Sequence, residues 1–364
     1  MNLTDREWKE FYIGGHSGIF SVKSTTSGID KNKLNVAQGK TPYITRTDKS
    51  NGIDLFVSEI QNEKYIIDAG NIISIGLDTQ TVFYQPYEFY TGQNIQVLSN
   101  KNINKHNAQF ICNLLKLQLQ KFNWGGNGAT LGRLVRTKIM LPVNIEGNPD
   151  YVFMEAYVKE EERCKKEKYI VYATKMLEKL EYVEVPTLEE KEWKPFAINE
   201  LFEKIDAGKG KGLNHLSKVD NNGVNYIGAT HRNNGVLCQI GIEDTSSKMI
   251  QQGNCIGFIR NGNGSVGYAV YKAEHFVSTS DVSLAYSQTM NRYIGLFIVT
   301  SSNLIRGKYN HNYKRTPERL KKDGIMLPVS KTGIPDYLYM EQYAKNITIN
   351  KLKKYLSFVG QEVN

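Results

Sequence analysis

The chain has 364 residues, of which 40% are hydrophobic, 11% aromatic and 23% charged. This composition indicates a globular protein of two or three domains and excludes a disordered chain, which would carry fewer aromatic residues. No apolar stretch is long enough to cross a membrane, and the first residues lack the basic and then apolar order of a signal peptide, so we expect a cytoplasmic protein. The net charge of +9 permits a polyanionic partner but does not identify one.

The spacing of cysteine and histidine predicts neither a disulfide framework nor a metal site. The four cysteines are scattered, and no two of them lie within four residues of each other. None of the six histidines belongs to a His-x-His or His-x-x-x-His pair. Structural and catalytic zinc sites usually take such ligands at short spacing. We therefore expect ordinary thiols, no metal and no catalytic triad built on histidine.

An internal repeat spans most of the chain. Residues 138–160 return as residues 324–346, with I-M-L-P-V, G-x-P-D-Y and M-E-x-Y in unbroken register. Further matches pair 7–11 with 192–196, 41–57 with 224–240, 69–75 with 252–258 and 121–125 with 308–312. The matched positions differ in number by 183 to 187 along the whole chain. This pattern predicts a tandem duplication in which landmarks are kept while the loops between them differ.

Each copy has the pattern of a mixed strand region followed by a helix. Short β-branched and aromatic runs broken by Gly and Asn predict strands joined by turns. Asn-Gly at 51–52 and at 234–235, between extended segments, predicts a hairpin in each copy. Helical apolar spacing predicts a helix over 108–120, and residues 290–304 occupy the matching place in the second copy. The expected fold class is α+β.

A longer helix follows each Pro-Asp-Tyr sequence. Asp150 caps a stretch that ends near Pro186, and Asp336 caps one that ends near Gly360. At 1.5 Å per residue these helices are about 45 Å and 36 Å long. Both carry apolar residues near coiled-coil a and d positions, so we expect them to pack on each other, antiparallel, with a globular domain at each end. The predicted division is a domain over 1–149, a helix over 150–185, a domain over 186–335 and a helix over 336–364.

The openings of these helices permit a second interpretation. Asp150, Glu155 and Lys159 could form a nuclease site, since paired carboxylates and a lysine can hold Mg²⁺. The same residues suit a helix cap with an acid that interacts favourably with the helix dipole. The second copy keeps Asp336 and Glu341 at the start of a helix that needs its apolar face for packing. The cap is the favoured interpretation, and a metal-dependent nuclease is the alternative.

Two glycine-rich segments, 208–212 and 261–265, superficially resemble phosphate-binding loops. They lack the Lys-Ser/Thr pair and do not connect a strand to a helix. We predict a flexible basic loop for the first and a turn for the second. A methyltransferase would need a glycine-rich cofactor loop and an acidic-Pro-Pro-aromatic motif, and the sequence has neither. We therefore expect no catalytic activity and no cofactor in this chain.

Basic and polar residues are concentrated in the loops that differ between the copies. Lys and Arg bind phosphates in a salt-dependent way, while Arg and His side chains can also contact base edges. A solvated surface is the alternative explanation for any single one of them. The candidates for DNA binding in the first copy are Lys31, Lys33, Lys40, Arg46, Lys49, Lys101, Lys105 and Lys121. Those in the second copy are Lys209, Lys211, His215, Lys218, His231, Arg232, Arg260, Arg306, Lys308, Lys314 and Arg315.

With the duplication, the repeated helix junctions and the Asn-Gly hairpins together, the chain resembles the specificity (S) subunits of restriction–modification systems. The short helices and the Leu-Pro-Val and Pro-Asp-Tyr junctions resemble the compact type IIB, BcgI-like form more than the long type I form. The resemblance implies two mixed α/β target recognition domains, separated by two antiparallel spacer helices and related by a pseudo-two-fold axis. It also implies a non-catalytic subunit in which each recognition domain reads half of a bipartite DNA target through the major groove.

The resemblance further implies the partners. These are double-stranded DNA, adenine methyltransferase subunits, either separate or fused to a nuclease, and in some systems a restriction subunit. S-adenosylmethionine would belong to the methyltransferase. The expected docking residues on the two helices are Asp150, Tyr151, Met154, Tyr157, Asp336, Tyr337, Met340 and Tyr343. The alternative function is a stand-alone or orphan DNA-binding protein.

Overall fold

The computed structural model describes residues 1–123, 127–244, 248–262 and 264–362. The chain forms two compact units, 1–169 and 170–364. None of the helices in these described stretches combines the length and the apolar character needed to cross a bilayer.

Nine strands and two helices lie within the described part of the first unit, and a third helix begins there. The strands are β1 (Trp8–Tyr12), β2 (Ser21–Ser24), β3 (Thr41–Ile44), β4 (Ile53–Val57), β5 (Ile72–Gly76), β6 (Val82–Gln85), β7 (Tyr90–Thr91), β8 (Ile95–Ser99) and β9 (Lys138–Pro142). The helices are α1 (Lys105–Leu119), α2 (Leu131–Val135) and α3 (Tyr151–Glu178).

The first unit is built on an antiparallel sheet with the strand order β2-β8-β5-β6. Every residue of β5 is buried, as expected for the apolar run Ile-Ile-Ser-Ile-Gly at the centre of a sheet. Helix α1 packs against this sheet with Ala108, Ile111, Leu115 and Leu119, which are all fully buried. Their spacing of three and four residues places them on one helix face, and the predicted helix over 108–120 is thereby confirmed.

A second, smaller sheet carries the predicted hairpin of this unit. Strand β3 pairs antiparallel with β4 and parallel with β7. The loop between β3 and β4 contains Asn51 and Gly52, both with positive φ. A Cβ on Gly52 would approach the side chains of Phe83 and Ile44 to 3.2 and 3.3 Å, so glycine suits this turn for space as well as for conformation.

The second unit has the same general order of elements, with one short helix and two short strands added. Its strands are β10 (Trp193–Ala197), β11 (Lys204–Ala207), β12 (Lys218–Val219), β13 (Val224–Ile227), β14 (Val236–Ile240), β15 (Ile250–Gln251), β16 (Cys255–Ile259), β17 (Ala269–Lys272), β18 (Phe276–Ser278), β19 (Val282–Tyr286) and β20 (Gly324–Pro328). Its helices are α4 (Ile198–Leu201), α5 (Arg292–Leu304), α6 (Pro317–Lys322) and α7 (Tyr337–Glu362). The central sheet has the order β11-β19-β16-β17, and the hairpin strands β13 and β14 lie in a sheet of order β12-β14-β13-β18-β15.

The junction that precedes each long helix has the same geometry in both units. In the first unit the amide of Asp150 donates to the carbonyl of Pro142 (2.9 Å), and its Oδ1 accepts from the amide of Phe153 (2.9 Å). In the second unit the Oδ1 of Asp336 accepts from the amide of Tyr339 at 3.1 Å. Both aspartates are therefore helix caps, and that interpretation of the repeated Pro-Asp-Tyr sequence is confirmed.

The first long helix is shorter than predicted. Helix α3 ends at Glu178, whereas the sequence suggested an end near Pro186. The residues that follow turn their carbonyl groups toward side chains of α7. Gln342 donates to Glu181 O (2.9 Å) and Asn346 to Val183 O (2.6 Å). Because these carbonyls accept hydrogen bonds from side chains, they need no partner within a helix. The helix therefore ends before position 186, although no Pro or Gly interrupts the sequence there.

Candidate nucleic-acid interface

The β3–β4 loop of the first unit holds Arg46 and Lys49 at the surface. Asn51 fixes this loop to strand β6 by two hydrogen bonds. Its Nδ2 donates to the carbonyl of Tyr84 (2.9 Å), and its own carbonyl accepts from Nε2 of Gln85 (3.1 Å). The loop is therefore held by backbone and buried side-chain groups, while its basic side chains face solvent.

The matching loop of the second unit joins β13 to β14 and carries His231 and Arg232. Asn234 has a left-handed backbone (φ 51°), and its Nδ2 donates to the carbonyl of Tyr271 at 2.9 Å. The carbonyl of Asn234 accepts from Nζ of Lys272 at 3.3 Å. The hairpins predicted from Asn-Gly are present in both units.

A cluster of basic and aromatic side chains forms around His231. The imidazole stacks on the ring of Tyr268, with 4.1 Å between centroids and 11° between planes, and its Nδ1 lies 2.9 Å from Oγ of Ser265. The guanidinium of Arg306 lies 5.0 Å from the centroid of the same tyrosine ring. This His231 cluster joins three separate segments of the chain. It combines aromatic rings, on which bases can stack, with a positive charge, which attracts phosphates.

Comparison with known proteins agrees with this architecture. Residues 5–173 and 190–356 each match the family described as the type I restriction modification DNA specificity domain. The chain belongs to this family. It is also 30% identical, over 321 residues, to the protein named type II restriction enzyme BgcI specificity subunit S.BcgI from Heyndrickxia coagulans, with 86% of this chain and 88% of that protein covered.

Solved structures of S subunits are also similar to this chain. The S subunit of a type I restriction–modification system from M. genitalium matches with 13% identity and a TM-score of 0.46, over 99% of this chain and 94% of that one. The HsdS subunit from Thermoanaerobacter tengcongensis matches with 11% identity and a TM-score of 0.31, over 98% and 91%. The family match over both repeats identifies the chain as a specificity subunit of a restriction–modification system with two target recognition domains.

The basic residues predicted in the first recognition domain are all exposed, but they do not form one site. They occur in four segments, namely the stretch before β3, the β3–β4 loop, the residues from the end of β8 to the start of α1, and the residues after α1. Three of them are paired with carboxylates: Lys31 with Asp54 (2.8 Å), Lys33 with Asp30 (2.7 Å), and Arg46 with Asp78. The other exposed candidates of the first domain are Lys40, Lys49, Lys101, Lys105 and Lys121.

The second recognition domain brings part of its predicted set together. His231, Arg232 and Arg306 lie at or beside the His231 cluster. Arg260 is half-buried and donates to the carbonyl of Ser280. The turn predicted over 261–265 includes Asn263, which lies outside the described residues. The remaining exposed candidates are Lys209, Lys211, His215, Lys218, Lys308 and Lys314.

The glycine-rich segment 208–212, predicted as a flexible loop, is hydrogen-bonded to residues 278–282 of the same unit. The amide of Gly208 donates to Val282 O at 3.0 Å, and that of Gly210 donates to Ser278 O at 2.7 Å. A Cβ on Gly208 would lie 2.1 Å from the carbonyl oxygen of Thr279. The glycines therefore allow a close backbone approach, which presents Lys209 and Lys211 at the surface.

Arg315 was wrongly predicted to contact DNA. Its side chain is fully buried, with Nε donating to Oδ2 of Asp323 (2.8 Å) and Nη1 donating to the carbonyl of Gly267 (3.0 Å). The hydroxyl of Tyr309 donates to the other carboxylate oxygen of Asp323 at 2.7 Å, and burial together with this bond raises the pKa of Tyr309. Arg315 is part of an internal ion pair, because a buried charge requires such partners.

Two of the residues predicted to dock a partner are also buried. Met154 and Met340 have no exposed surface and pack into the cores of their own units. Their assignment to a docking face was wrong, because these side chains, in the first turns of α3 and α7, pack against the core of the adjoining domain. The matched positions Val152 and Leu338 are 79% and 82% exposed instead.

The other six predicted docking residues are half-buried. Asp150 and Asp336 serve as caps and also pair with Arg6 (3.3 Å) and Lys191 (2.8 Å). The four tyrosines contribute to the packing of their own units, since each of them lies against a domain core. These are Tyr151, Tyr157, Tyr337 and Tyr343.

Sequence reasoning missed the residues that hold the basic loops in place. Gln85, Ser265, Tyr268 and Lys272 carry no local motif, and their partners lie more than thirty positions away along the chain. Only the asparagines before the hairpin glycines gave a local signal, because left-handed turns favour Asn and Gly.

Proposed function

We propose that each target recognition domain reads one half of a bipartite, asymmetric DNA sequence. The observation that carries this proposal is that both domains hold a hairpin loop in the same way but place different side chains on it. Both hairpin loops are held by an asparagine of left-handed conformation, but one presents Arg46 and Lys49 and the other presents His231 and Arg232. A common frame with different base-contacting groups suits two half-sites of different sequence.

The proposal gives α3 and α7 the role of spacers. With 28 and 26 residues they span about 42 and 39 Å at 1.5 Å per residue. Half-sites read from one face of DNA lie about 34 Å apart or at multiples of that distance. An antiparallel packing of the two helices, with pseudo-two-fold symmetry between the recognition domains, would fix such a gap.

We further propose that the subunit performs no chemistry itself and binds adenine methyltransferase subunits, which would carry S-adenosylmethionine. The carboxylates considered for a nuclease have other roles: Asp150 caps α3, and Glu155 pairs with Lys159 (2.5 Å) and accepts from Asn104 (2.7 Å). These hydrogen bonds lower the pKa of Glu155. Such a complex would act on chromosomal DNA, which places it in the cytoplasm, and a restriction subunit would be a further partner.

Modified-base sequencing tests the proposal. DNA from cells that carry the gene is compared with DNA from cells that lack only this gene. The expected result is a bipartite methyladenine motif that disappears with the gene and returns with a plasmid copy. Methylation that is unchanged by the deletion would refute the assignment of specificity to this chain. Divalent-metal-dependent cleavage of DNA by the purified chain would refute the non-catalytic role.

A further inference from the structure

The two recognition domains hold their hairpin loops by the same pair of hydrogen bonds. Asn51 and Asn234 occupy matched places, and each donates its side-chain amide to the carbonyl of a matched tyrosine, Tyr84 or Tyr271, at 2.9 Å. The residue that follows this tyrosine, the last of the same strand, returns a hydrogen bond to the asparagine carbonyl. That residue is Gln85 in β6 and Lys272 in β17. We refer to this pair of bonds as the loop clamp.

The donor of the return bond is buried in both domains although its chemistry differs. Gln85 is 3% exposed and Lys272 is 1% exposed. A buried ammonium requires compensation, and Lys272 obtains it from Glu274 at 2.9 Å together with the carbonyl of Asn234. An amide and an ammonium share the ability to donate a hydrogen bond. The repeated requirement at this position is therefore a donor for the loop, and not a particular charge.

The clamp is anchored to the helix that follows the central sheet. The hydroxyl of Tyr84 donates to Oδ1 of Asn71 (2.8 Å), whose Nδ2 donates to the carbonyl of Ile103 just before α1 (3.1 Å). The second domain repeats this through Tyr271, Asn254 and the carbonyl of Met290, with both distances at 2.8 Å. Each hairpin loop is thus connected through hydrogen bonds to the buried framework of its own domain.

We infer that Gln85 and Lys272 are positioning residues for DNA sequence recognition. They act through Asn51 and Asn234, fixing the loops so that the basic side chains meet the base edges in one register. The inference rests on the proposed function. Directional hydrogen bonds to base edges depend on the placement of the donor, whereas attraction to phosphates tolerates a displaced charge. Loss of the clamp should therefore reduce discrimination between sequences more than it reduces general affinity for DNA.

The experiment measures binding of the full-length chain to three kinds of duplex. One carries the motif found by modified-base sequencing, one has either half-site scrambled, and one is unrelated. The variants Gln85→Leu and Lys272→Met remove the donor in one domain at a time. Lys272→Gln is the matched control, because it introduces the donor that the first domain uses. Leu98→Ala is the second control, because it removes buried apolar volume from the first domain without touching the clamp.

Gln85→Leu should lower discrimination against a scrambled half-site about tenfold for one half only, within the range of one displaced base contact. Lys272→Met should do the same for the other half. Affinity for the unrelated duplex should stay within about twofold, and Lys272→Gln should keep discrimination within about twofold of the parent. If Gln85→Leu fails to fold, Gln85→Met supplies the test, because methionine removes the same donor and keeps an unbranched side chain of similar length.

Four results would overturn the inference. The first is unchanged discrimination in Gln85→Leu or, in its place, in Gln85→Met. The second is an equal loss of affinity for all duplexes, which would indicate a purely structural role. The third is a loss in Lys272→Gln as large as in Lys272→Met. The fourth is a loss in Leu98→Ala as large as in Gln85→Leu. If the parent chain does not distinguish the three duplexes, that result refutes the proposed function itself. It is obtained before any variant is measured, so the two hypotheses are tested separately.

Discussion

Replacement of Arg315 tests whether this residue supports the second domain from within. Arg315→Met removes a fully buried guanidinium and leaves the carboxylate of Asp323, itself 3% exposed, without its main partner. Breaking a buried ion pair on one side costs about 3–5 kcal/mol. Lys308 stays 3.2 Å from Asp323 and Tyr309 still donates to it, so we expect the lower end, about 3 kcal/mol.

That loss corresponds to a measurable shift in thermal unfolding. The second unit covers residues 170–364, and for domains of this size 1 kcal/mol shifts the midpoint by about 2–4 °C. We therefore expect its midpoint to fall by about 6–12 °C in differential scanning calorimetry of the full-length chain. Adding Asp323→Asn to Arg315→Met removes the unpaired charge and should recover part of the loss, because asparagine can still accept from Tyr309.

The salt dependence of DNA binding tests the alternative role, in which Arg315 contacts a DNA phosphate. A residue that contacts a phosphate contributes about one unit to the slope of log affinity against log salt concentration. Arg315 has no exposed surface, so the slope of a folded Arg315→Met chain should equal that of the parent. An unchanged unfolding midpoint together with a reduced slope would refute the structural role and restore Arg315 as a DNA contact.

Three further predictions follow from the described structure. Arg46→Ala and Arg232→Ala should each weaken recognition of one half-site more than the other, measured by competition between half-scrambled duplexes, and equal loss on every sequence would reduce these residues to phosphate contacts. Removing about two turns from the exposed middle of α3 (Tyr151–Glu178) should change the gap in the methylated motif, and an unchanged gap would contradict the spacer role. Burial raises the pKa of the Cys112 thiol to about 12, so the thiol is protonated at pH 8. It should resist iodoacetamide in the native chain and react only after unfolding, and rapid alkylation of the native chain, measured by mass spectrometry, would contradict its burial.

Features that depend on local sequence were predictable, because they are determined by residues close together in the chain. The aspartate caps at 150 and 336 and the two Asn-Gly hairpins follow from local preferences of Asp, Asn and Gly, and the structure contains all four. The duplication was visible because both copies keep the same landmarks in the same order. The family match over 5–173 and 190–356 confirms it.

Features that depend on distant partners were not predictable. Arg315 lies in a polar, basic stretch and has the local context of a surface residue, but its partners include the carbonyl of Gly267, forty-eight positions earlier. The end of α3 was misjudged for the same reason, since the carbonyls after it are satisfied by side chains of α7. Met154 was placed on the wrong face because spacing alone does not say which neighbour a helix side chain meets.

Strand β1 pairs antiparallel with β9, and β10 pairs antiparallel with β20, which has a consequence for how such genes can change. Trp8 lies opposite Pro142, and in the second domain Trp193 lies opposite Pro328, so the chain enters and leaves each domain at adjacent positions about 5 Å apart. A segment with neighbouring ends can be replaced by a related segment without moving anything outside it. Under the proposed function, recombination at the repeated junctions would therefore exchange one complete half of the recognised sequence in a single event.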